Sequence, residues 1–565
     1  MITGVASPHG TRAVAATPAG VRGATGLALG LTTALGLYHL ICVLTYGTAT
    51  IDGATHFLAD DDVMISMRYA RNLAQGVGLV FNPGERVEGF TNPLLTLLGA
   101  LVHLLGVGSR FVPLALDVVN LAASAAILWL LLRFWSDRVD RAGLFAGALY
   151  LLGGQHLFYA HAGYEVYLQG LLLVYGVTHF NRVGLAGAFL LGLLPLTHAT
   201  SVPTWMVLVL ALLLFHPATF GRKLVLAATA ALPAVAYEIF RVGYYGDWLP
   251  NTFYLKAGAG KLGGGIIYTR AWLRLVLPSA LLAVALLVAA ARLVLRHGPR
   301  KYLGDATGVR LVVASAVLGV HVAGVIGVGG DYFPLSRFLF PCTILLAALA
   351  GRGLDDAWLW IKEQPRTASR TAVAVAIGGV ALAALAWPVL NARLNAALIR
   401  GRADWNVHHL TLGQAIHDNT PPGTWVGVFA LGYASYYGDR LSIDMLGKID
   451  HHIARMPPNP HRAIAHNKTD FGYVFSRHPD LIELSLDPQA LSHQDVLVTA
   501  ASEQPHGYQA ELALHPIFRS DYAGHPVTDQ RGRFVRLYAR AGTEVAGHAP
   551  SWRVPEEYFA TEAAF

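Results

Sequence analysis

The sequence predicts a polytopic α-helical membrane protein with a compact α/β region at its C-terminal end, and three observations predict it. Of 565 residues, 54% are hydrophobic and only 14% charged, where soluble domains carry roughly 25% charged residues. Apolar runs near span length recur between residues 24 and 390, and the Arg and Lys of that stretch cluster in the short connections between them. From about residue 391 the apolar runs shorten while His, Asp, Pro and Asn rise.

Taken in order, residues 1–23 are rich in Gly, Ala and Thr and include Arg12 and Arg22. They are expected to be a disordered cytoplasmic tail. The run at 24–50 is too long for a signal-peptide core and has no persuasive cleavage site, which predicts an uncleaved first span. Further runs lie near 111–133, 142–161, 165–180, 184–198, 200–216, 223–243, 272–296, 310–328, 338–356 and 371–390. A shorter run, 93–106, carries His103. The basic connections hold Arg133, Arg138 and Arg141, then Arg182, then Arg222 with Lys223, then the stretches 296–310 and 362–370. All of them fall on the same side as Arg12 and Arg22 only if 93–106 does not cross, which predicts about eleven transmembrane helices.

That parity puts the loop 51–92, the segment 161–165, His198, the loops 244–271 and 329–337, and everything from 391 onward on the outer side. Within the last region, WVGVFALGYASYYGDRLSIDMLG (425–447) reads as strand, glycine, helix and strand, and RFVRLYAR (533–540) as a half-buried strand. The expected organisation is a transmembrane domain at 24–390 and an extracytoplasmic α/β domain at 391–565, long enough for its own core.

The densest chemistry lies in ADDDVMISMRYARNLAQGVGLVFNPGERVEGFTN (59–92). Asp60, Asp61 and Asp62 open a helix, where the helix dipole favours carboxylates and Asp60 is the natural cap. At about 100° per residue, Asp61, Ile65, Arg68 and Asn72 share one stripe, and Val63, Met64, Met67, Ala70 and Ala74 share the other side. This predicts an amphipathic helix lying on the membrane surface, its polar stripe toward a cavity and its apolar stripe toward lipid or neighbouring spans. Carboxylates crowded at a dry boundary have raised pKa values, which suits a base that takes a proton from a hydroxyl nucleophile. The turn-rich FNPGERVEGFTNP folds back and offers Glu85, Glu88 and Asn92 to sugar hydroxyls or to solvent.

Other chemistries find little footing. A net charge of +7 could indicate nucleic acid, but the basic residues follow the topology and no phosphate loop or basic arm interleaved with aromatics is present. Cys42 and Cys342 both sit in apolar runs and build neither a disulfide framework nor a thiolate metal site. His408-His409 and His451-His452 are adjacent pairs whose side chains diverge on either helix or strand, and HExxH is absent.

The stretch DDVMISMRYARNLAQGVGLVFNPGERVEGFTNPLLTLL (61–98) is very similar to the first extracytoplasmic loop of membrane glycosyltransferases of the C-type superfold. It resembles in particular the terminal arabinofuranosyltransferases, such as the B-type enzyme of mycobacterial cell-wall arabinan synthesis. HAGYEVYLQGLLL (161–173) resembles the Gly-x-Glu element of that family, and GDWLPNTFYLKAG (246–258) and GGDYFPLSRFLFP (329–341) resemble two further outward loops. LTHATSVP (196–203) departs from it, with His198 where relatives often carry an Arg-Pro-Glu-like element.

The resemblance implies a multi-span bundle with an outward cavity, a C-terminal extracytoplasmic domain, and an aspartate of this loop at the centre of catalysis. It also implies a polyprenyl-phosphate sugar as donor, a polysaccharide or glycoprotein as acceptor, the bilayer as platform and no nucleic acid. A lipid-phosphate leaving group calls for cations at interface depth, which points to Lys256 and Arg337. Arg68 serves either the phosphate or Asp61. Glu88, Glu165 and Asp331 are candidate sugar contacts, and Tyr254 and Tyr332 are candidate linings of a sugar or isoprenoid slot. Asp61 is the expected catalytic carboxylate, with Asp62 orienting it or binding sugar. No cofactor is required, although the superfold admits a divalent cation at Asp61, Asp62 or Glu165. The sequence leaves inversion and retention both open. The alternative reading is a transporter or flippase of a lipid-linked or amphiphilic substrate, which ordinarily places its ionisable residues at mid-bilayer and carries internal repeats.

Overall fold

The computed structural model describes residues 18–256, 261–298, 303–365, 368–390, 392–459, 462, 465–485 and 507–561. The expected tail at 1–23 lies outside them up to residue 17, and residues 18–23 already belong to the first helix, Pro18–Tyr46. Among the described residues, six helices are long and apolar enough to cross a membrane: Gly26–Tyr46, Ser109–Leu132, Phe220–Tyr245, Leu262–Arg292, Ala306–Val328 and Arg337–Glu363. The other expected spans are shorter helices, among them Val166–His179, Val202–Phe215 and the pair Arg141–Leu151 and Gly154–Tyr159. Proline, glycine and polar residues at 153, 163 and 198–203 break the apolar runs there into pieces.

After the first helix a hairpin, β1 (Thr48–Ile51) with β2 (Ala54–Phe57), turns at Asp52-Gly53, both at positive φ. The acidic-loop helix follows at Asp61–Ala74. Asp60 caps it through its side chain, which accepts from the Asp62 amide. Pro93–Leu104, 12 residues long, packs along it.

Beyond the long helix Ala392–Asn419 the chain builds a five-stranded sheet from β3 (Trp425–Val428), β4 (Leu441–Asp444), β5 (Leu481–Glu483), β6 (Pro526–Thr528) and β7 (Phe534–Ala539), in the order β4-β3-β5-β7-β6. β3 is parallel to β4 and β5, while β7 is antiparallel to β5 and β6. A short helix, Tyr433–Gly438, makes the crossover from β3 to β4, as the pattern of 425–447 predicts.

The acidic-loop helix is not a membrane-surface helix. Val63, Met64, Met67 and Ala70 belong to the apolar core of the bundle, whereas Ile65 and Tyr69 belong to a second core shared with β3, β5 and β7. Its polar stripe is consumed as well. Arg68 donates to the carbonyls of Phe81 (3.1 Å), Ser435 and Arg440 (2.5 Å), and Asn72 to those of Val80 (2.8 Å) and Phe81 (2.9 Å). The helix is clamped between bundle and sheet region because buried polar groups that find backbone partners can sit in an interior.

Candidate active site

The three aspartates point to three different environments. Asp60 accepts from the Tyr164 hydroxyl (2.7 Å) and holds the Arg402 guanidinium, whose Nε lies 2.8 Å from its Oδ2. Asp61 is 5% exposed, and its Oδ1 accepts from the Tyr433 amide at 2.7 Å. The backbone contact is so close that a Cβ on Gly432 would lie 1.9 Å from the Asp61 carbonyl oxygen, so only glycine fits there. Asp62 alone is open: its side chain is 22% exposed and pairs with Lys448 Nζ at 2.9 Å.

These environments drive the neighbouring carboxyls apart. Burial pushes the Asp61 carboxyl up, and His409 and the Tyr433 amide offset it only in part. Burial would do the same to Asp62, but Lys448, Arg337 and Arg402 hold it well below the ordinary carboxylate range. Crowding of like charges therefore does not set the tone at Asp62, contrary to the sequence expectation, because the cations of three other elements reach it. Two adjacent carboxyls with opposite shifts are the usual sign of divided roles.

Lys448 is placed by its own turn. The Asp444 carboxylate accepts from the amides of Leu446 (2.9 Å) and Ile449 (2.8 Å), and Gly447 adopts a φ of 83°. Asn251, in the LPNTFYLK loop, donates to the carbonyls of Gly447 (2.9 Å), Lys448 (3.1 Å) and Asp450 (3.1 Å). The loop between two long helices thus pins the lysine that meets Asp62.

Arg337 is placed by strain. Leu335 and Ser336 both have φ of 56°, a left-handed pair that costs on the order of 1–3 kcal/mol each. Gln155 donates to both their carbonyls, at 2.5 and 2.9 Å, and Tyr159 to that of Pro334 at 2.5 Å. The turn aims Arg337 between the rings of Tyr164 and Phe333, 4.4 Å from each centroid, and pairs it with Asp331 at 2.6 Å. Its Nε is buried with no hydrogen-bond partner among the described residues. Lys256 stands 5.4 Å over the Phe338 ring, within electrostatic reach of Asp331, Arg337, Asp62 and Lys448, and makes no ion pair among the described residues. Tyr332, 45% exposed, rises beside them against Phe333.

The structure therefore brings together Asp62, Lys256, Asp331, Tyr332 and Arg337, with Glu165 just behind: Glu165 is buried and accepts from Asn92 Nδ2 (3.0 Å), while Asn92 Oδ1 accepts from the Ser66 hydroxyl (2.8 Å). Four expectations are corrected. Asp61 is buried in the contact with Gly432, its Oδ1 held by the Tyr433 amide, instead of standing open. Arg68 spends its guanidinium on carbonyls, and burial lowers it to about 9, so it serves neither a phosphate nor Asp61. Glu88 is buried against Arg241 (2.6 Å) and Tyr237 (2.7 Å), because a carboxylate removed from water takes a cation with it. The Tyr254 ring lies under Arg455 at 4.2 Å and so packs on the sheet region. Glu85 is likewise paired, with Arg477.

The donor set for a divalent cation does not assemble either. Asp61 is held by the Tyr433 amide, Asp62 by Lys448 and Glu165 by Asn92, and among the described residues no group of three or more His, Cys, Asp or Glu converges. Sequence reasoning missed Lys448, Arg402 and Tyr164. For Lys448 a signal existed, since the strand–helix–strand run 425–447 ends one residue before it; nothing local marks Arg402.

A family model described as "Domain of unknown function (DUF8728)" matches residues 398–546. The chain is 29% identical over 360 residues to a terminal beta-(1->2)-arabinofuranosyltransferase of Corynebacterium glutamicum, covering 54% of this chain and 52% of the relative. It is 29% identical over 326 residues to the Mycobacterium tuberculosis protein of the same name, covering 54% and 48%. The chain spans about half the length of the curated relatives it matches. Among solved structures it superposes on apo ArnT from Cupriavidus metallidurans with a TM-score of 0.54 at 14% identity, over 93% of this chain and 99% of that one. The same protein bound to undecaprenyl phosphate gives 0.50, over 75% and 87%. The fold is thus a membrane-type helical fold like that of ArnT, and the resemblance carried by the loop 61–98 is borne out.

Proposed function

We propose that the chain is a membrane glycosyltransferase that moves a sugar, arabinofuranose, from a polyprenyl-phosphate donor to a glycan or glycoprotein acceptor at the outer face of the cytoplasmic membrane. The observation that carries this reading is a buried set of cations around one open carboxylate: Asp62 meets Lys448, with Arg337 and Lys256 beside it, and two cationic groups still have donors to give. The names of the sequence relatives support the sugar, and the lipid phosphate named in the ArnT structure supports the donor.

In this reading the acceptor hydroxyl oxygen attacks the anomeric carbon while the bond from that carbon to the phosphate oxygen breaks. The free Nε–H of Arg337 and the Lys256 ammonium meet the charge growing on the phosphate, where preorganised donors lower the barrier most. Asp62 takes the hydroxyl proton. Polyprenyl phosphate departs into the bilayer. Lys448 keeps Asp62 ionised until acceptor binding, and Glu165, held by Asn92, backs the sugar. Tyr332 offers the sugar an aromatic face.

The topology proposed with it has about eleven crossings, with Pro93–Leu104, roughly 18 Å long at 1.5 Å per residue, lying against the acidic-loop helix rather than crossing. The sheet region from 425 to 539 then stands outside and holds the acceptor.

Incubating the purified full-length protein with a panel of polyprenyl-phosphate pentoses and hexoses, with an arabinan fragment as acceptor, tests the reading. Mass spectrometry should find free polyprenyl phosphate and a product longer by one pentose with the arabinofuranose donor. Release from no donor in the panel would refute it.

A further inference from the structure

At the end of the bundle remote from the candidate site lies an open cavity of about 260 Å3. Trp129, Leu130 and Arg133 from the end of Val112–Leu132 line it, with Asp137 from the next turn and Thr178, His179 and Arg182 from the end of Val166–His179. The latter helix begins directly after Glu165 and runs 14 residues, so the cavity stands about 20 Å from the acceptor end.

Its charges do not balance. Arg182 pairs with Asp137 at 2.8 Å, and a third arginine, Arg310 of Ala306–Val328, stands outside the lining and donates to the Phe134 carbonyl. The Asp137 carboxyl is held below its ordinary range by Arg182 first, and by Arg310 and Arg133 as well. One carboxylate therefore stands in the field of three guanidinium groups, of which only Arg182 bonds to it. His179 adds no counter-charge: it stacks on Tyr175 and bonds to Thr178. Arg133 lies over the Trp129 ring at 4.7 Å, and that ring is exposed at the end of a span, where tryptophans meet the headgroup layer.

We propose that this cavity binds the phosphodiester headgroup of an anionic phospholipid. Arginine forks suit phosphate oxygens, basic pockets between helix ends at headgroup depth are where such lipids are held, and the exposed Trp129 with the half-buried Leu130 gives the glycerol and upper acyl segment an apolar wall. A soluble phosphate would use the same arginines without the wall. The site is independent of the glycosyl-transfer reading.

The test titrates the full-length protein in neutral detergent with phosphatidylglycerol, phosphatidylcholine or inorganic phosphate, followed by native mass spectrometry and thermal unfolding. Phosphatidylglycerol is expected to be retained and to raise the unfolding temperature, and phosphatidylcholine to do neither. Arg133→Gln should weaken phosphatidylglycerol about fivefold, the worth of one arginine near an anionic surface, and Asp137→Asn should tighten it by about the same factor. If Arg133→Gln does not fold, Asp137→Asn decides alone. Equal retention of the two lipids, unchanged affinity in the variants, or stabilisation by inorganic phosphate with none from phosphatidylglycerol would each overturn the proposal.

Discussion

The two ends of the helical bundle handle charge in opposite ways. At the sheet-region end, Asp60, Glu88, Asp331 and Arg337 are removed from water and each is paired, Asp60 and Glu88 with arginines far away in sequence and Asp331 with Arg337. At the other end, the Arg182–Asp137 pair leaves its side chains 45% and 82% exposed, and Arg133 and Arg310 act on the same carboxylate without bonding to it. Buried pairs must be complete, because a lone charge in a dry interior costs several kcal/mol, so they fix geometry. Exposed pairs fix little and leave charge free to act at a distance. One end is built to hold atoms in place, and the other to attract.

Breaking a buried pair tests that contrast most severely. Glu88→Ala leaves Arg241 with only the more exposed Glu238 and takes away the acceptor of Tyr237, and should cost about 3 kcal/mol, seen as a large fall in unfolding temperature in detergent. Next comes Lys256→Met, which removes a cation that makes no ion pair among the described residues. Transfer should fall about a hundredfold in kcat/KM with the unfolding temperature unchanged or higher; an unchanged rate would make Lys256 a bystander.

The Lys448–Asp62 pair sharpens the comparison through pH. A carboxyl held low in the folded state contributes stability above its ordinary value, about 3.9, and loses that contribution only as pH falls through the lowered one. For wild type the acidic limb of the pH–rate profile, and the acid loss of stability due to Asp62, should therefore lie below the ordinary carboxylate range. Lys448→Met should move that limb upward by about 1–3 units. A profile that does not move would separate Asp62 from the rate. The smallest effect belongs to the far end: Arg182→Ala should change stability by less than about 1 kcal/mol and leave transfer untouched, as measured by the same two assays.

Much of this was legible in the residues, and the failures have physical causes. The helix opened by Asp60, the strands at 425–447 and 533–540, and the loops carrying Lys256 and Arg337 follow from caps, alternation and charge placement, which are local. The choice between Asp61 and Asp62 is not local. The two side chains point about 100° apart on the helix, and which of them faces the cleft depends on Gly432 closing over Asp61 from some 370 residues away. Arg68 and Glu88 read as binding groups because a charged residue in a loop looks the same whether a ligand, a carbonyl or a buried counter-ion awaits it. Lys448 and Arg402 come from across the sheet-region interface, and no spacing rule near residue 61 points to them. Of about eleven spans expected from apolar runs, six are long apolar helices among the described residues and a seventh is the helix Ala368–Leu390, while those between residues 141 and 215 are short or interrupted by Pro, Gly and polar residues.

The central claim is that Asp62, and not Asp61, is the carboxylate at work. Parallel assays of wild type, Asp62→Asn and Asp61→Asn with a polyprenyl-phosphate arabinofuranose and an arabinan acceptor test it most directly. Transfer should drop by about 10²–10⁴ in Asp62→Asn, with the protein folded, and survive to a substantial fraction in Asp61→Asn. Full activity in Asp62→Asn alongside loss in Asp61→Asn would contradict the account.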